Sequence, residues 1–162
     1  PSFSINDTNT WVYDVLLKLD FQYSSSTYPI SHDLYGVPSW PRFSYIRDES
    51  TENKKLIEIP IPTLHKNDVN TGIGGGGYFR LYPYWLSKNR IDKFHQQEQK
   101  PYSFYFHPWE IDPQQPRVKE APLKSKFRHY INLSRMEGKL ERLLKDYQWN
   151  TMKSVYLDSE IK

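Results

Sequence analysis

The chain has 162 residues, enough for one domain, and a formal net charge of +3 at pH 7, too small to indicate a partner by itself. The absence of cysteine excludes disulfides and thiolate metal sites, and an aromatic content of 16% excludes a disordered tail. No apolar run approaches the roughly 18 residues that a membrane-spanning helix needs, so no transmembrane segment is predicted.

The first predicted elements are a helix, a short strand and a long loop. After the polar cluster 6–10, apolar residues recur at helical spacing, which predicts a helix over 8–20. The segment 21–28 is short and serine-rich, which predicts a strand that leads into a loop. Residues 29–47 hold three prolines and four aromatic residues, and predict a long ordered loop, a class that is often functional.

The middle of the chain predicts a turn, a strand, a glycine loop and a helix. Residues 48–55 are polar and predict the turn. In 56–64, two prolines alternate with isoleucines, so the predicted strand can pair on one side only and should lie at the edge of a sheet. Residues 72–77 form the glycine-rich loop, and the apolar spacing that follows predicts a helix over 79–97 with a proline in its first turn.

The most informative stretch is a strand predicted at 102–106, which ends in His107. An aromatic-rich run that ends in histidine is typical of a buried strand delivering one titratable side chain at its carboxyl end, where active sites lie in parallel α/β folds. Imidazole is well suited to proton transfer near neutral pH. Pro108 fixes the following turn, and Trp109 and Glu110 are predicted to line a pocket. The alternative is a histidine that is merely hydrogen-bonded at a strand end.

The C-terminal segment is basic and predicted to be helical. A capping box from Ser134 to Glu137 predicts the start of a helix that ends near Tyr147. From Arg117 to Lys145, nine basic residues stand against three acidic ones. That excess fits either a solvated helical face or a patch for an anionic polymer or a membrane surface. The alternation of strands and helices along the chain predicts an α/β fold.

Two further patterns leave several interpretations open. The glycines in 72–77 satisfy the dinucleotide pattern G-x-G-x-x-G, but any glycine run does so. There are two alternatives to a dinucleotide site. The loop is either a flexible turn with close backbone packing, or its backbone N–H groups line an oxyanion or sugar site. The other histidines are His32, His65, His95 and His129. None has a partner at metal-ligand spacing, so the chain is predicted to build no metal site of its own.

The segment from Phe104 to Pro113, with Pro116 to Lys119, resembles the last sequence motif of polysaccharide deacetylases of the NodB-homology type. It is closest to a subgroup that accompanies bacterial exopolysaccharide and protein-sorting systems and carries a C-terminal extension. Further segments are similar to other motifs of that subgroup: residues 1–4, 21–29, 31–38, 75–85 and 126–130. The resemblance covers nearly the whole chain, in the family's order.

The resemblance implies a fold and a reaction. The fold is the C-terminal part of an irregular (β/α) barrel over 1–115, followed by a basic helical extension over 116–162. In the family, a divalent metal, zinc or similar, polarises the amide carbonyl of an N-acetylated sugar and lowers the pKa of its bound water. An aspartate acts as the base, and a histidine of the last motif, here His107, protonates the departing amine.

The implied substrate contacts are His32, Tyr28 and Trp109. The rings of Tyr28 and Trp109 are expected to be exposed. They either stack on sugar faces or simply pack within the protein. Ser24 stands where the family usually has an aspartate. The family's metal ligands and its base lie in an N-terminal half that is absent from these residues, so the chain alone is expected to bind no catalytic metal and to be inactive.

The expected partners are an amino-sugar polysaccharide and, at a bare sheet edge, either the missing half of the barrel or a second copy of the chain. No nucleic acid partner is expected. Two alternatives belong to other function classes. One is a non-catalytic carbohydrate-binding or scaffolding domain that uses only the aromatic loops, and the other is a nucleotide-binding domain that uses the glycine loop.

Overall fold

A computed structural model describes residues 3–33, 35–49 and 54–158. The chain divides into two compact units, Pro1–Gly72 and Ile73–Lys162. The described residues combine helices with two small sheets and form no closed barrel, which confirms an α/β fold at the coarse level. The predicted domain boundary between 115 and 116 stays a prediction. No helix in the described part of the chain has the length and apolar character needed to cross a bilayer.

The first unit contains one helix and both sheets. In chain order its elements are α1 Trp11–Lys18, β1 Tyr23–Ser24, β2 Tyr45–Glu49, β3 Lys54–Glu58, β4 Thr63–Lys66 and β5 Val69–Gly72. The three-stranded sheet has the order β1-β3-β2, with β1 parallel and β2 antiparallel to β3, and β4 pairs with β5 antiparallel. On α1, Tyr13 and Leu17 lie one turn apart and pack against Ile5 and Leu56, which form the core at this sheet.

The predicted edge strand over 56–64 is wrong in its position. β3 ends at Glu58 and pairs on both sides, so it is the central strand. Beyond it, the N–H groups of Ile59 and Ile61 donate to backbone carbonyls of the segment 24–27, at 2.8 and 3.0 Å. The two prolines that alternate with them have no N–H to offer on the opposite side. The alternation therefore limits pairing to one side, but only after β3 has ended.

The connections around β2 agree in part with the sequence patterns. Residues 25–33 and 35–44 contain no helix or strand, which confirms most of the long loop. The turn predicted over 48–55 overlaps the hairpin, since Asp48 pairs with Lys55. Its tip, residues 50–53, lies outside the described residues.

The second unit is mainly helical. Its elements are α2 Gly76–Leu81, α3 Tyr84–Glu98, a 3-10 helix Pro108–Ile111, α4 Leu123–Tyr130, α5 Leu133–Asp146 and α6 Met152–Tyr156. The helix predicted over 79–97 is two helices, because Pro83 is the N-cap of α3 and not part of a first turn. Tyr82 before it is extended, with ψ 150°, as a residue preceding proline prefers.

The start of α5 differs from the predicted capping box, because Ser134 lies inside the helix. The N-cap is Asn132 in a left-handed conformation, φ 54°, which asparagine tolerates better than most residues. Its side-chain amide donates to the carbonyl oxygen of Arg80 at 2.9 Å. The Lys139 ammonium donates to three carbonyl oxygens at the end of α2, at 2.6 to 3.0 Å. The polar groups of α5 thus fix the last turn of α2.

One buried and one partly buried tyrosine, Tyr84 and Tyr147, form hydrogen bonds at the helical core of the second unit. The buried core residues are Phe79, Tyr84, Ile91, Met136 and Leu143. The Tyr84 hydroxyl donates to Asp146 at 2.8 Å, and the Tyr147 hydroxyl donates to Asp92 at 2.6 Å. Burial, and then the bonded aspartate, raise the pKa of both hydroxyls above the usual 10.0.

We expect the free energy of unfolding to fall as the pH is raised above about 10, because unfolded tyrosines lose their protons there while the folded ones keep them. The stabilisation is fully present below the unfolded pKa and is lost as the pH rises from that value through the folded pKa. Urea titrations at successive pH values from about 10 to about 12 measure the fall. Tyr147→Phe should make it shallower, and equal slopes in the variant and its parent would contradict this explanation.

Candidate functional site

The chain before His107 is anchored by one parallel bridge in place of the predicted strand. The N–H of Tyr105 donates to the Gly74 carbonyl at 2.9 Å, and the N–H of Gly76 donates to the Tyr105 carbonyl at 3.1 Å. The strand over 102–106 is therefore a wrong prediction within the described residues. Because α2 begins at Gly76, the partner segment ends after one pairing, and no longer ladder forms. His107 nevertheless follows the carboxyl end of a parallel pairing.

His107 is the N-cap of the 3-10 helix and keeps a half-exposed ring, with 48% of its side chain accessible. The Glu110 side chain is 1% exposed and folds back over the start of this helix. Its Oε2 accepts the N–H of His107 at 2.8 Å and lies 3.5 Å from the His107 Nδ1. The Glu110 N–H in turn donates to the His107 carbonyl at 2.9 Å. An exposed imidazole is thus backed by a buried carboxylate.

The carboxylate of Glu110 is paired with Arg80 from the end of α2. The Arg80 Nε donates to Glu110 Oε1 at 2.7 Å, and the two side chains are 3% and 1% exposed. Three further guanidinium N–H groups donate to the carbonyls of residues 128, 129 and 131, at 2.8 to 3.2 Å. These bonds satisfy most donors of a buried ion pair, as such pairs require. They join the 3-10 helix to the end of α4.

Trp109 lies half-buried in the same cluster. Its ring stacks on His129 with 4.2 Å between centroids, lies 5.5 Å from the His107 ring, and receives the Arg80 guanidinium at 5.0 Å. The His129 Nε2 lies 2.6 Å from the Gln115 Oε1. Burial, and then the nearby Arg80 charge, lower the pKa of His129 below the usual 6.5. Stacking of Trp109 on a sugar stays a prediction, but its ring already contacts two imidazoles and a guanidinium.

The other two predicted contacts lie in the first unit. His32 is half-buried and stacks on Tyr35 at 4.0 Å. Tyr28 is 1% exposed, because its ring lies against Phe3 and Tyr35 and its hydroxyl occupies the space that a Cβ at Gly72 would fill. The expectation that the Tyr28 ring is exposed is therefore wrong. Binding of substrate by His32 and Tyr28 stays a prediction.

The sequence patterns did not assign the structural roles of three charged residues, although they placed Glu110 in a pocket wall. Glu110 had a local signal, since a glutamate at the third helical position after a proline at the first is typical of a helix start. Arg80 and Glu58 had none. Glu58 ends β3 opposite Ser24, is fully buried, and accepts hydrogen bonds from the N–H of Ser26 at 2.8 Å and the hydroxyl of Thr27 at 2.9 Å. It fixes the loop that follows β1.

Within residues 3–33, 35–49 and 54–158, no three histidine, aspartate or glutamate side chains lie close enough to hold a metal ion. The catalytic metal that the resemblance implies is therefore not matched by a ligand set in these residues. The second unit presents a half-exposed imidazole beside a buried carboxylate, which is itself paired with a guanidinium. That arrangement can transfer a proton to or from a bound molecule.

Comparison with known proteins gives one match. Residues 25–157 match a family described as Domain of unknown function (DUF3473). No curated protein and no solved structure matches the chain. The matched range contains all four predicted site residues and the whole of the cluster around His107. Because the match covers most of the 162 residues, the chain belongs to the DUF3473 family.

Proposed function

We propose that the chain is part of a metal-dependent polysaccharide deacetylase that hydrolyses N-acetyl groups of amino-sugar polymers, with His107 as the general acid. The finer fold that goes with this proposal is the C-terminal part of an irregular (β/α) barrel with a helical extension. The observation that carries the proposal is the half-exposed imidazole at the carboxyl end of a parallel pairing, backed by the buried Glu110 carboxylate. The resemblance of the last sequence motif gives this imidazole its role.

The proton transfer falls to one atom of the ring. The Glu110 carboxylate lies beside Nδ1, so Nε2 is the atom that meets the substrate. After a water molecule has added to the amide carbonyl and lost a proton to the base, the imidazolium donates its Nε2 proton to the nitrogen of this adduct as the C–N bond breaks. The amine and acetate leave, and the ring is left neutral. Glu110 and Arg80 are positioning residues, because Glu110 contacts the histidine and Arg80 contacts Glu110, while neither reaches the reacting atoms. The metal of the complete enzyme would be held by residues outside those described.

Each unit separately supports the barrel. In the first, β1 runs parallel to β3 and lies at the edge of its sheet in the described residues. In the second, Gly75 and Tyr105 pair in parallel across the crossover formed by α2 and α3. The outer face of α1 also carries Trp11, Val15 and Leu19 in exposed positions one turn apart. An open sheet edge and an exposed apolar stripe in the same unit favour a covering partner, either the missing half of the barrel or a second copy.

The test is acetate release from N-acetylglucosamine oligomers by the full-length parent protein in the presence of zinc. His107→Ala is expected to lower kcat by about 10²- to 10⁴-fold, the range of general acid catalysis. His65→Ala is the control, since His65 is an exposed histidine of the first unit and should leave the rate unchanged. Equal rates in the parent and His107→Ala would remove His107 from the mechanism. Binding of the oligomers without any acetate release would favour a non-catalytic carbohydrate-binding domain.

A further inference from the structure

The surface around α4 displays apolar side chains that the second unit leaves uncovered. Leu123 and Phe127 lie one turn apart on α4 and are 83% and 61% exposed. Val118, before the helix, is 56% exposed and lines a groove of about 630 Å³ together with them. These three side chains and their groove are named the α4 surface. Large apolar side chains at such exposure favour a partner that removes them from water.

The α4 surface is held in shape by hydrogen bonds of its own unit. The Tyr130 hydroxyl accepts the N–H of Val118 at 3.0 Å and donates to the Pro116 carbonyl at 3.1 Å. The Lys126 ammonium donates to the Lys119 carbonyl at 2.6 Å. The segment 116–119 is thereby fixed against α4. The apolar side chains are displayed without any rearrangement, which lowers the cost of binding.

The charges around the α4 surface have one sign. Between 117 and 128 there is one acidic residue, Glu120, against five basic ones: Arg117, Lys119, Lys124, Lys126 and Arg128. A basic helix with an apolar face is typical of segments that lie in the interface of anionic bilayers. An anionic polymer would match these charges but leave Leu123 and Phe127 in water. A protein partner would need acidic groups arranged around an apolar pocket, whereas every anionic bilayer offers headgroup charge above an apolar layer.

We propose that the α4 surface binds peripherally to anionic lipid bilayers, with Leu123 and Phe127 inserted at the boundary between headgroups and acyl chains. This inference is independent of the deacetylase proposal. It explains why the most exposed leucine among the described residues stands within a basic segment. It also assigns the apolar and the basic side chains of the same surface to one ligand.

Co-sedimentation of the full chain with vesicles tests the proposal. Binding is expected to vesicles in which about one third of the lipid is phosphatidylglycerol and not to pure phosphatidylcholine, and it should weaken as salt is added. Lys119→Gln with Lys124→Gln should lower the partition coefficient about thirtyfold. Leu123→Ser with Phe127→Ser should lower it about tenfold or more. Trp85→Ser is the control, since Trp85 is 70% exposed on α3 and does not line this groove.

Insertion can be measured separately because the chain has no cysteine. An environment-sensitive dye on Leu123→Cys should shift to the blue on addition of the anionic vesicles, and the same dye on Trp85→Cys should not. The circular dichroism spectrum of each variant should match that of the parent, which shows that the variant is folded and that its binding can be compared. No binding to the anionic vesicles at low salt would overturn the proposal. Binding that survives the double serine variant with an unshifted dye would do so as well, since it would show attraction by charge alone.

Discussion

Replacing Arg80 with methionine is expected to lower the free energy of unfolding by about 3–5 kcal/mol, among the largest effects of any single substitution in the second unit. The reason is the isolation of Glu110, whose carboxylate is 1% exposed and would lose its guanidinium partner. Three backbone carbonyls at the end of α4 would lose their donors too. Urea denaturation of the purified chain, followed by circular dichroism, measures the change.

Two further variants separate this ion pair from the general effect of losing a cation. Lys88→Met removes the cation of the half-exposed pair with Asp92 on α3, at 3.2 Å, and should cost at most about 1 kcal/mol. Adding Glu110→Gln to Arg80→Met should recover part of the loss, because no buried charge is then left alone. If the double variant is no more stable than Arg80→Met, or if Lys88→Met costs as much as Arg80→Met, the buried pair does not stabilise the unit in this way.

The position of His107 could be predicted because its signal is local. An aromatic run that ends in histidine and proline fixes where the extended segment stops, and the structure places that histidine after a parallel pairing. The same pattern predicted a strand over 102–106, where the structure has a single bridge at Tyr105. The apolar residues of this segment are used in packing instead, since Tyr102 and Phe104 contact the helical core of the unit. A run of aromatic residues indicates burial more reliably than it indicates a hydrogen-bonded ladder.

The pairing of Arg80 with Glu110 could not be predicted, because the two residues are brought together over a long sequence separation. Arg80 and Glu110 are 30 residues apart, and the carbonyls that share the guanidinium lie about 50 residues beyond Arg80. Nothing in the spacing of single residues reports such a contact. The same limit applies to α5, whose start is set by the left-handed Asn132 and its bond to Arg80. The serine and glutamate of the expected capping box were a local signal that the tertiary contacts overrode.

The structural role of the glycine loop depends on its contacts with Tyr105, which is distant in sequence. Gly75 and Gly76 have positive φ angles of 119° and 57°, and the backbone groups at this turn bond to Tyr105. Of the alternatives that the pattern left open, close backbone packing is the one that these contacts support. The N–H of Gly76 already has an acceptor in the protein. The loop therefore holds the segment that leads to His107.

Gly75→Ala is accordingly expected to destabilise the chain by about 3 kcal/mol, because φ 119° with ψ −149° is a conformation that L-residues avoid. A Cβ at Gly75 would also overlap the Tyr105 carbonyl oxygen and come within 3.0 Å of the Phe104 ring.

Gly138→Ala is the matched control. Gly138 lies within α5, and a Cβ added to it would meet no atom within 4 Å, so alanine there should raise stability by about 1 kcal/mol. Urea titrations should show shifts of opposite sign. A neutral Gly75→Ala would mean that the bridge to Tyr105 is dispensable, and that the placement of His107 does not depend on it.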